Sequence, residues 1–580
     1  MPGVVVKARS AETGLEREAI TSVQGLYVIN YLPAGRYDVS AELSGFKTAR
    51  FENVTLDVGE RRTLDIKLEV GPVQEIVTVL GAAPLVERTS PELSTVVQST
   101  QLKELPLNGR HWSSLMMLAP GAINTGAGTH TSIRFVGRLV DDNNWTFDGV
   151  DATGVKDPKQ ESVARLIISM ESIAEFRVSS SQYSAETGSA GGGVVQLISK
   201  AARTGFAARR TTSCATTASM RRHTGNRIGL DRTQAATLNY PIDPFLAQAL
   251  TSGRSPRVLA LHRHDLYVEQ YSANVQQALR GDFTLQVGYI GSCAHNLFSR
   301  SFVNVIDPAT GRRPLPSFGQ VDIKSNTGRA TFNAMQVLLR RRFSRGLLVG
   351  LEYMLSQARN DGSIGGGDAN APQNVSDPQA DWGDSAQDVR HNLIANWVYE
   401  LPLAQAVDGL AGRVLRGWQA SGLVQIRSGR PLTILVTRAR TDVPDGNSGN
   451  SSTSGSQQRP DLVPGVPLVP PSAQSPDLWI NPAVFAVPAR GRWGNAPRSL
   501  LTGPGLAQVD FALTRRFAMS ADRNVEVRWE IFNLFNRQNL ANPNVNISSG
   551  PSFGRITGPA NPDFGTGSAR QMQFMFRLNF

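Results

Sequence analysis

Gln571–Phe580 reads Q-M-Q-F-M-F-R-L-N-F, and its alternation decides the fold class. Met572, Phe574, Phe576, Leu578 and Phe580 fall on one face of an extended strand; Gln571, Gln573, Met575, Arg577 and Asn579 fall on the other. Successive side chains of a strand alternate between faces, so one face here is apolar and its reverse mostly polar. A soluble amphipathic strand has the same pattern. Five large apolar residues ending on an aromatic terminus nevertheless suit the closing strand of a membrane barrel, where lipid-facing and lumen-facing positions alternate.

The whole chain agrees with a β-rich protein. At 580 residues it should hold two to four domains. Gly 54 and Pro 33, with 7% aromatic and 18% charged residues, favour many short strands and long turns. No run of eighteen apolar residues exists, so the sequence offers no transmembrane helix. A barrel needs none, and a mean hydropathy of -0.21 is compatible with one. The net charge of +11 is scattered, and its densest cluster, Arg340, Arg341, Arg342 and Arg345, sits at a predicted hairpin end. These read as strand-end and lumen arginines, and no nucleic-acid partner is expected. Cys214 and Cys293 are too few for a disulfide framework.

Residues 1–70 predict a small β-sandwich, with strands at Val4–Lys7, Tyr27–Ile29, Tyr37–Leu43 and Arg62–Leu68. Pro and Gly set turns at Leu32–Gly35 and Ser44–Lys47. The string G-L-Y-V-I-N-Y-L-P-A-G-R-Y-D-V-S-A-E-L-S-G-F-K resembles the carboxypeptidase regulatory-like domain, whose usual first strand, G-x-V-x-D, is missing here. No zinc-ligand set accompanies it: His262 and His264 share a strand face but lack a third ligand at recognisable spacing. No metal or other cofactor is expected.

Residues 71–200 predict a plug. Glu75, Ile76, Val77, Thr78 and Val79 follow a Gly-Pro break and leave two readings open. The plainer is the sandwich's linker strand. The sharper is a TonB box, which the pentapeptide loosely resembles and which would work by β-augmentation. Gln101–Pro120 contains a short helix, a P-x-N-G-R turn and a second amphipathic helix. Ile133–Gly137, Asn144–Asp151, Ser172–Val178, Tyr183–Gly188 and Gly191–Val195 then follow in an order that resembles the plug of TonB-dependent outer-membrane receptors. The closest resemblance is to the Oar-like branch. Gly188–Gly193 lacks the Gly-Lys-Ser/Thr of a phosphate loop, and Asp148 and Asp151 read as a turn between plug strands. No catalytic constellation can be assembled, so no enzyme is expected.

Residues 201–580 predict an antiparallel transmembrane β-barrel. Thr331–Ser356 is the clearest hairpin: Met335, Val337, Leu339 and Phe343 share one face, Gln336, Arg340 and Arg342 the other, and Leu338 is out of pattern. Ser344-Arg345-Gly346 turns the chain, and Val349, Leu351, Tyr353 and Leu355 continue the apolar face. Arg390–Pro402, Gly417–Gly422, Trp479–Pro482, Val509–Leu513 and Glu530–Asn536 resemble strands of Oar-like barrels, and His391 reads as a turn or strand-edge residue. The polar stretches Gln357–Ser385 and Thr441–Gln457 read as extracellular loops. Length is the difficulty. Plugged transporters have ~22 strands, which at ~10 residues each leave ~160 residues for all connections. Ala201–Asn226 shows neither strand nor helix period where the first barrel strands should start, so a shortened barrel is expected, closing at smaller shear. Met1-Pro2-Gly3-Val4 carries no leader, which suggests a misassigned start or an incomplete gene product.

The resemblance implies a TonB-dependent receptor or transporter of the outer membrane that binds a ligand at its extracellular loops. Its implied partners are a TonB-type energising protein, the outer-membrane lipid and the barrel-assembly machinery, which would read Phe574, Phe576, Leu578 and Phe580 as an insertion signal. The cargo is not readable, although lumen arginines Arg340, Arg342 and Arg577 would suit an anionic or peptide substrate. Two alternatives remain: a soluble or surface β-rich interaction or carbohydrate-binding protein, for which no aromatic platform is visible, and a non-functional transporter remnant.

Overall fold

A computed structural model describes residues 1–56, 62–71, 76–80, 92–124, 133–153, 170–183, 191–200, 257–361, 372–403, 409–443, 458–560 and 569–579, apart from short gaps within them. The N-terminal sheet comprises β1 (Val5–Ser10), β2 (Glu16–Ile20), β3 (Gly35–Glu42), β4 (Thr48–Leu56) and β5 (Ile76–Leu80), in the order β2-β1-β3-β4-β5. Val4, Val6, Ala8, Tyr37, Val39, Ala41, Ala49, Phe51 and Val54 form its core. The step from Phe51 to Val54 breaks the two-residue period because β4 bulges at Asn53, whose φ is +57°. Two expected strands are corrected. Tyr27–Ile29 and Arg62–Leu68 join no ladder, and Tyr27, Ile29, Leu64, Ile66 and Leu68 pack against the sheet's core. A hydrogen bond from the Tyr27 hydroxyl to Leu64 O, 2.9 Å, joins the two segments.

The middle region holds β6 (Leu93–Val97), α1 (Ser99–Glu104), a 3-10 helix (Trp112–Leu118), β7 (Ala122–Asn124), β8 (Ile133–Phe135), β9 (Asn144–Phe147), β10 (Val150–Asp151), β11 (Ile173–Ser181) and β12 (Val194–Ser199). Its main sheet runs β10-β9-β12-β11-β6. The second helix is 3-10 and not amphipathic: Trp112, Ser113, Leu115, Met116, Met117 and Leu118 are all buried, because both sheet and barrel wall cover them. Trp112 meets Phe176 and Trp145 edge-on at 5.2 and 6.2 Å. Asp148 and Gly149, with φ of +49° and +81°, make the tight turn between β9 and β10. Asp148 accepts from Ser199 N and Asp151 from Thr153 N, so both carboxylates serve the local fold. A Cβ on Gly193 would lie 2.3 Å from Phe135 Cδ2. Gly193→Ala should therefore destabilise the plug by about 1–3 kcal/mol, read as faster proteolysis of this region in the assembled protein.

The third body is one large sheet. β13 (Arg257–Leu259), β14 (Tyr267–Leu279), β15 (Phe283–Val303), β16 (Val321–Ser344), β17 (Leu347–Asn360), β18 (Gly383–Asp384), β19 (His391–Glu400) and β20 (Trp418–Arg427) come first. A cap follows, with β21 (Pro431–Leu432), β22 (Asp461–Leu462), β23 (Phe485–Ala486) and β24 (Leu501–Thr502), and then β25 (Leu506–Ala518), β26 (Asn524–Phe532) and β27 (Gln571–Asn579). The main path is β14-β15-β16-β17-β19-β20-β25-β26-β27, antiparallel throughout. Among the described residues it does not close, and β14 and β27 are its edges. Ala201–Asn226 lies outside the described residues. Short turns, such as Arg345-Gly346 with φ of +49° and +73°, join β14 to β15, β16 to β17 and β25 to β26 at one end, where the connection from β19 to β20 is the longer exception; long connections lie at the other, as in outer-membrane barrels.

Two expected strands need correction here. Trp479–Pro482 belongs to the cap, where Trp479 and Ile480 pack with Ile434, Val484, Phe485 and Phe553. β26 stops at Phe532 because Asn533 and Asn536 turn the chain at φ of +53° and +50°. Thus the connection between β20 and β25 is more than a polar loop: with the stretch before β27 it builds a core of its own. Part of Gln357–Ser385 and nearly all of Thr441–Gln457 lie outside the described residues.

Candidate functional site between plug and barrel wall

The sheet's two faces differ as the alternation requires. Outward, Tyr271, Tyr289, Met335, Tyr399, Met572, Phe574, Phe576 and Leu578 are exposed, and Phe574 stacks on Trp529 at 5.8 Å. Inward, Ile290, Phe332, Ala334, Leu348, Met354, Ile394, Val398 and Leu423 are buried in one core with the plug. That resolves Leu338, which is inward and 1% exposed: a lumen wall that grips a plug needs apolar residues where an aqueous pore would not.

Polar contacts run from the plug to every strand of the main path. Gln270 of β14 meets Ser181, Ser292 of β15 donates to Val136 O, and Arg340 of β16 donates to Ser94 O and Thr95 Oγ1. Glu352 of β17 accepts from Gly121 N at 3.1 Å, and Asn392 and Asn396 of β19 meet Ala122 O and Gln101. Ser421 and Arg427 of β20 donate to Glu104 O and Asn124 O. Arg577 of β27 donates to Glu171 at 2.8 Å.

The densest contact joins α1 to β25 and β26. Arg528, fully buried, donates to Lys103 O at 2.8 Å and to Glu104 O and Leu105 O at 3.0 Å each. These are the last carbonyls of α1, which a helix leaves without partners of its own. Glu530 balances the guanidinium at 2.8 Å, and Arg516 bridges Glu104 and Glu526. The barrel thus caps a plug helix from outside.

On the cap side, Arg459 pairs with Asp381, both nearly buried, and Arg498 donates to Asn360 O and Asp381 O at 2.8 and 2.6 Å. Asp388, in the connection before β19, accepts from Ala358 N at 2.6 Å, yet burial pushes its carboxyl up to about 6 from 3.8. Because the folded value is raised, the native state holds a proton through that window that the unfolded chain has released. Stability should fall as pH rises from about 4 to 6, and Asp388→Asn should flatten the fall, read as the midpoint of heat-modifiable gel migration.

The sequence-predicted residues fare differently. Ile76–Val79 lie in β5, paired parallel with Thr48–Phe51 at the sheet edge. Phe574, Phe576 and Leu578 form the outward face of β27, whereas Phe580 lies outside the described residues. Arg340 and Arg577 are taken up by the plug, and nothing is described of the Arg342 side chain. His391 faces outward and meets the Tyr353 hydroxyl at 2.8 Å; His264 is exposed, and His262 and Cys214 lie outside the described residues. No group of three metal-ligating side chains occurs among the described residues. Sequence reading missed Glu104, Arg516, Arg528, Glu530 and Glu352. Alternation places the last four on the lumen face but names no partner for them.

Residues 1–69 match the carboxypeptidase regulatory-like domain, and residues 190–573 match the outer membrane beta barrel domain. The TonB-dependent transporter Oar of Myxococcus xanthus is 26% identical over 213 residues, which cover 35% of this chain and 19% of that protein. The chain therefore spans, by that match, about a fifth of the curated relative. Among solved structures, the FrpB iron transporter of Neisseria meningitidis matches at 11% identity and a TM-score of 0.28, over 57% of this chain and 33% of that one. The outer membrane transporter YddB of Escherichia coli matches at 11% and 0.21, over 85% and 54%. Relatedness points to TonB-dependent outer-membrane transporters. With the larger part of its length matched, the chain belongs to the outer membrane beta barrel domain family, and its place is the outer membrane.

Proposed function

We propose that this chain is a TonB-dependent receptor and transporter that takes a ligand at its extracellular loops and passes it along a plugged barrel. The proposed division is a sandwich over 1–70, a plug over 71–200 and a barrel over 201–580. The observation that supports it is the seating of the plug, which bonds to strand after strand of one antiparallel wall. In this reading a TonB-type partner engages Glu75, Ile76, Val77, Thr78 and Val79 by adding a strand at the β5 edge, which among the described residues pairs only with β4. Phe574, Phe576, Leu578 and Phe580 are the signal for the barrel-assembly machinery. The protein acts without a cofactor and catalyses nothing.

A cysteine at Thr78 should cross-link to the periplasmic domain of the energising partner in cells, and Val77→Pro should abolish the product. No cross-link from any position between 75 and 79 sinks the segment's assignment. Deleting Phe580 should lower the outer-membrane fraction; an unchanged fraction removes the insertion signal. A soluble β-rich interaction protein is the rival reading, and it predicts detergent-free solubility with no heat-modifiable migration.

A further inference from the structure

Most arginines of the wall and cap are spent on structure: Arg340 and Arg528 hold the plug, Arg459 pairs with Asp381, and Arg438 donates to the carbonyls of Asp442, Ala489 and Arg492. Arg427 and Arg430 differ. They flank Ser428-Gly429 at the extracellular end of β20, between the plug residue Asn124 and the cap. Arg427 donates to Asn124 O, and Arg430 donates to the Gln387 side-chain oxygen at 3.1 Å. Among the described residues neither has a carboxylate partner, and the two repel each other across the turn. The nearby acids are already committed: Asp388 to Ala358 N, Asp381 to Arg459, and Asp384 to Gln357 and Arg359.

The backbone between them has little freedom. A Cβ on Gly429 would lie 1.8 Å from Gly503 O, and one on Gly505 would lie 2.9 Å from Arg427 O. Ser428 N donates to His391 O at 2.9 Å, which ties the turn to β19. Two half-buried guanidiniums are thus held side by side with no counter-charge among the described residues. No N–H of either is buried without a partner, so those not used face solvent. Holding like charges together at a partly desolvated place costs free energy unless an anion completes it. The planar fork of N–H donors fits one type of anion, an oxyanion that accepts two parallel bonds.

We propose that Arg427 and Arg430 form an oxyanion site at the extracellular mouth, taking a carboxylate or phosphate group of the ligand against the plug's Asn124 end. The site deepens the transport reading, and it rests on that reading only in making the bound group part of the cargo. Binding in detergent needs no energising partner, so failure of the site and failure of transport are separable.

The test is isothermal titration of inorganic phosphate and, separately, acetate into the full chain in an uncharged detergent at low ionic strength. At least one should bind saturably, at least tenfold more weakly to Arg427→Gln/Arg430→Gln and unchanged in Arg345→Gln, which alters an exposed turn residue. Phosphate alone assigns a phosphoryl group, acetate alone a carboxylate, and both together the shared oxyanion chemistry. No saturable binding of either, or equal binding by the double variant, overturns the site. If the double variant loses its heat-modifiable migration, Arg430→Gln alone carries the same test, since among the described residues that side chain bonds only to Gln387.

Discussion

Replacing Arg528 with alanine should free the plug while the wall around it stays folded. The guanidinium is 0% exposed and is the common partner of three α1 carbonyls and of Glu530, itself 0% exposed. Removing it strands a buried carboxylate and uncovers the end of a helix. Breaking a buried pair in this way costs about 3–5 kcal/mol, more than any other single change to the plug contact described above. The expected readout is rapid proteolytic cleavage after α1, with the heat-modifiable migration of the barrel retained. Arg528→Leu/Glu530→Leu separates charge from packing. With both ions removed the burial penalty disappears, so much of the loss should return, although the α1 carbonyls remain uncapped. Equal protease resistance of Arg528→Ala and the parent protein would mean that the plug is held elsewhere.

Phe574→Arg should cause the second large loss. Phe574 is 64% exposed on the outward face, opposite Trp529 in register and stacked on it with 4° between the rings. A charge on the lipid face near mid-strand costs about 2–4 kcal/mol, and losing the stacked pair adds about 0.5–1.5 kcal/mol. Gln573→Arg, one residue away on the inward face beside Glu530, should cost far less. Outer-membrane abundance and the urea midpoint of the folded band would measure both. Equal effects at the two positions would mean that this face does not meet lipid.

Much of this was legible in the sequence where a period was clean. β27 and, apart from Leu338, the β16–β17 hairpin alternate, so their faces and turn could be read directly, and the structure places Met335, Val337, Val349, Leu351 and Tyr353 outward as expected. The plug motifs gave its order of elements for the same reason. The misreadings share a cause, which is that tertiary neighbours replaced local pattern. Leu338 broke the alternation because a plug covers it. Trp112–Leu118 lost its amphipathic face because both sides are covered. β2, with its sequence E-R-E-A-I, shows no apolar stripe because it is an edge strand that buries little. The Trp479 segment looked like a strand because cap cores and barrel walls are built from the same apolar residues. The plug-binding side chains were visible only as lumen charges, since a pairing between residues hundreds of positions apart leaves no mark on either stretch.

The reach of the Arg528 contact has a consequence in time. Arg528 and Glu104 O lie 424 residues apart, and synthesis runs from the plug toward the strand that caps it. Until β25 and β26 emerge, α1 has no outside partner for its final carbonyls, and the apolar surface of the 3-10 helix has no wall to face. Closing so long a loop is slow, because its entropy is lost before any contact compensates. The plug, made before the wall, is therefore completed only with it. In a chain whose place is the outer membrane, the plug stays unfinished until β25 and β26 supply its partners.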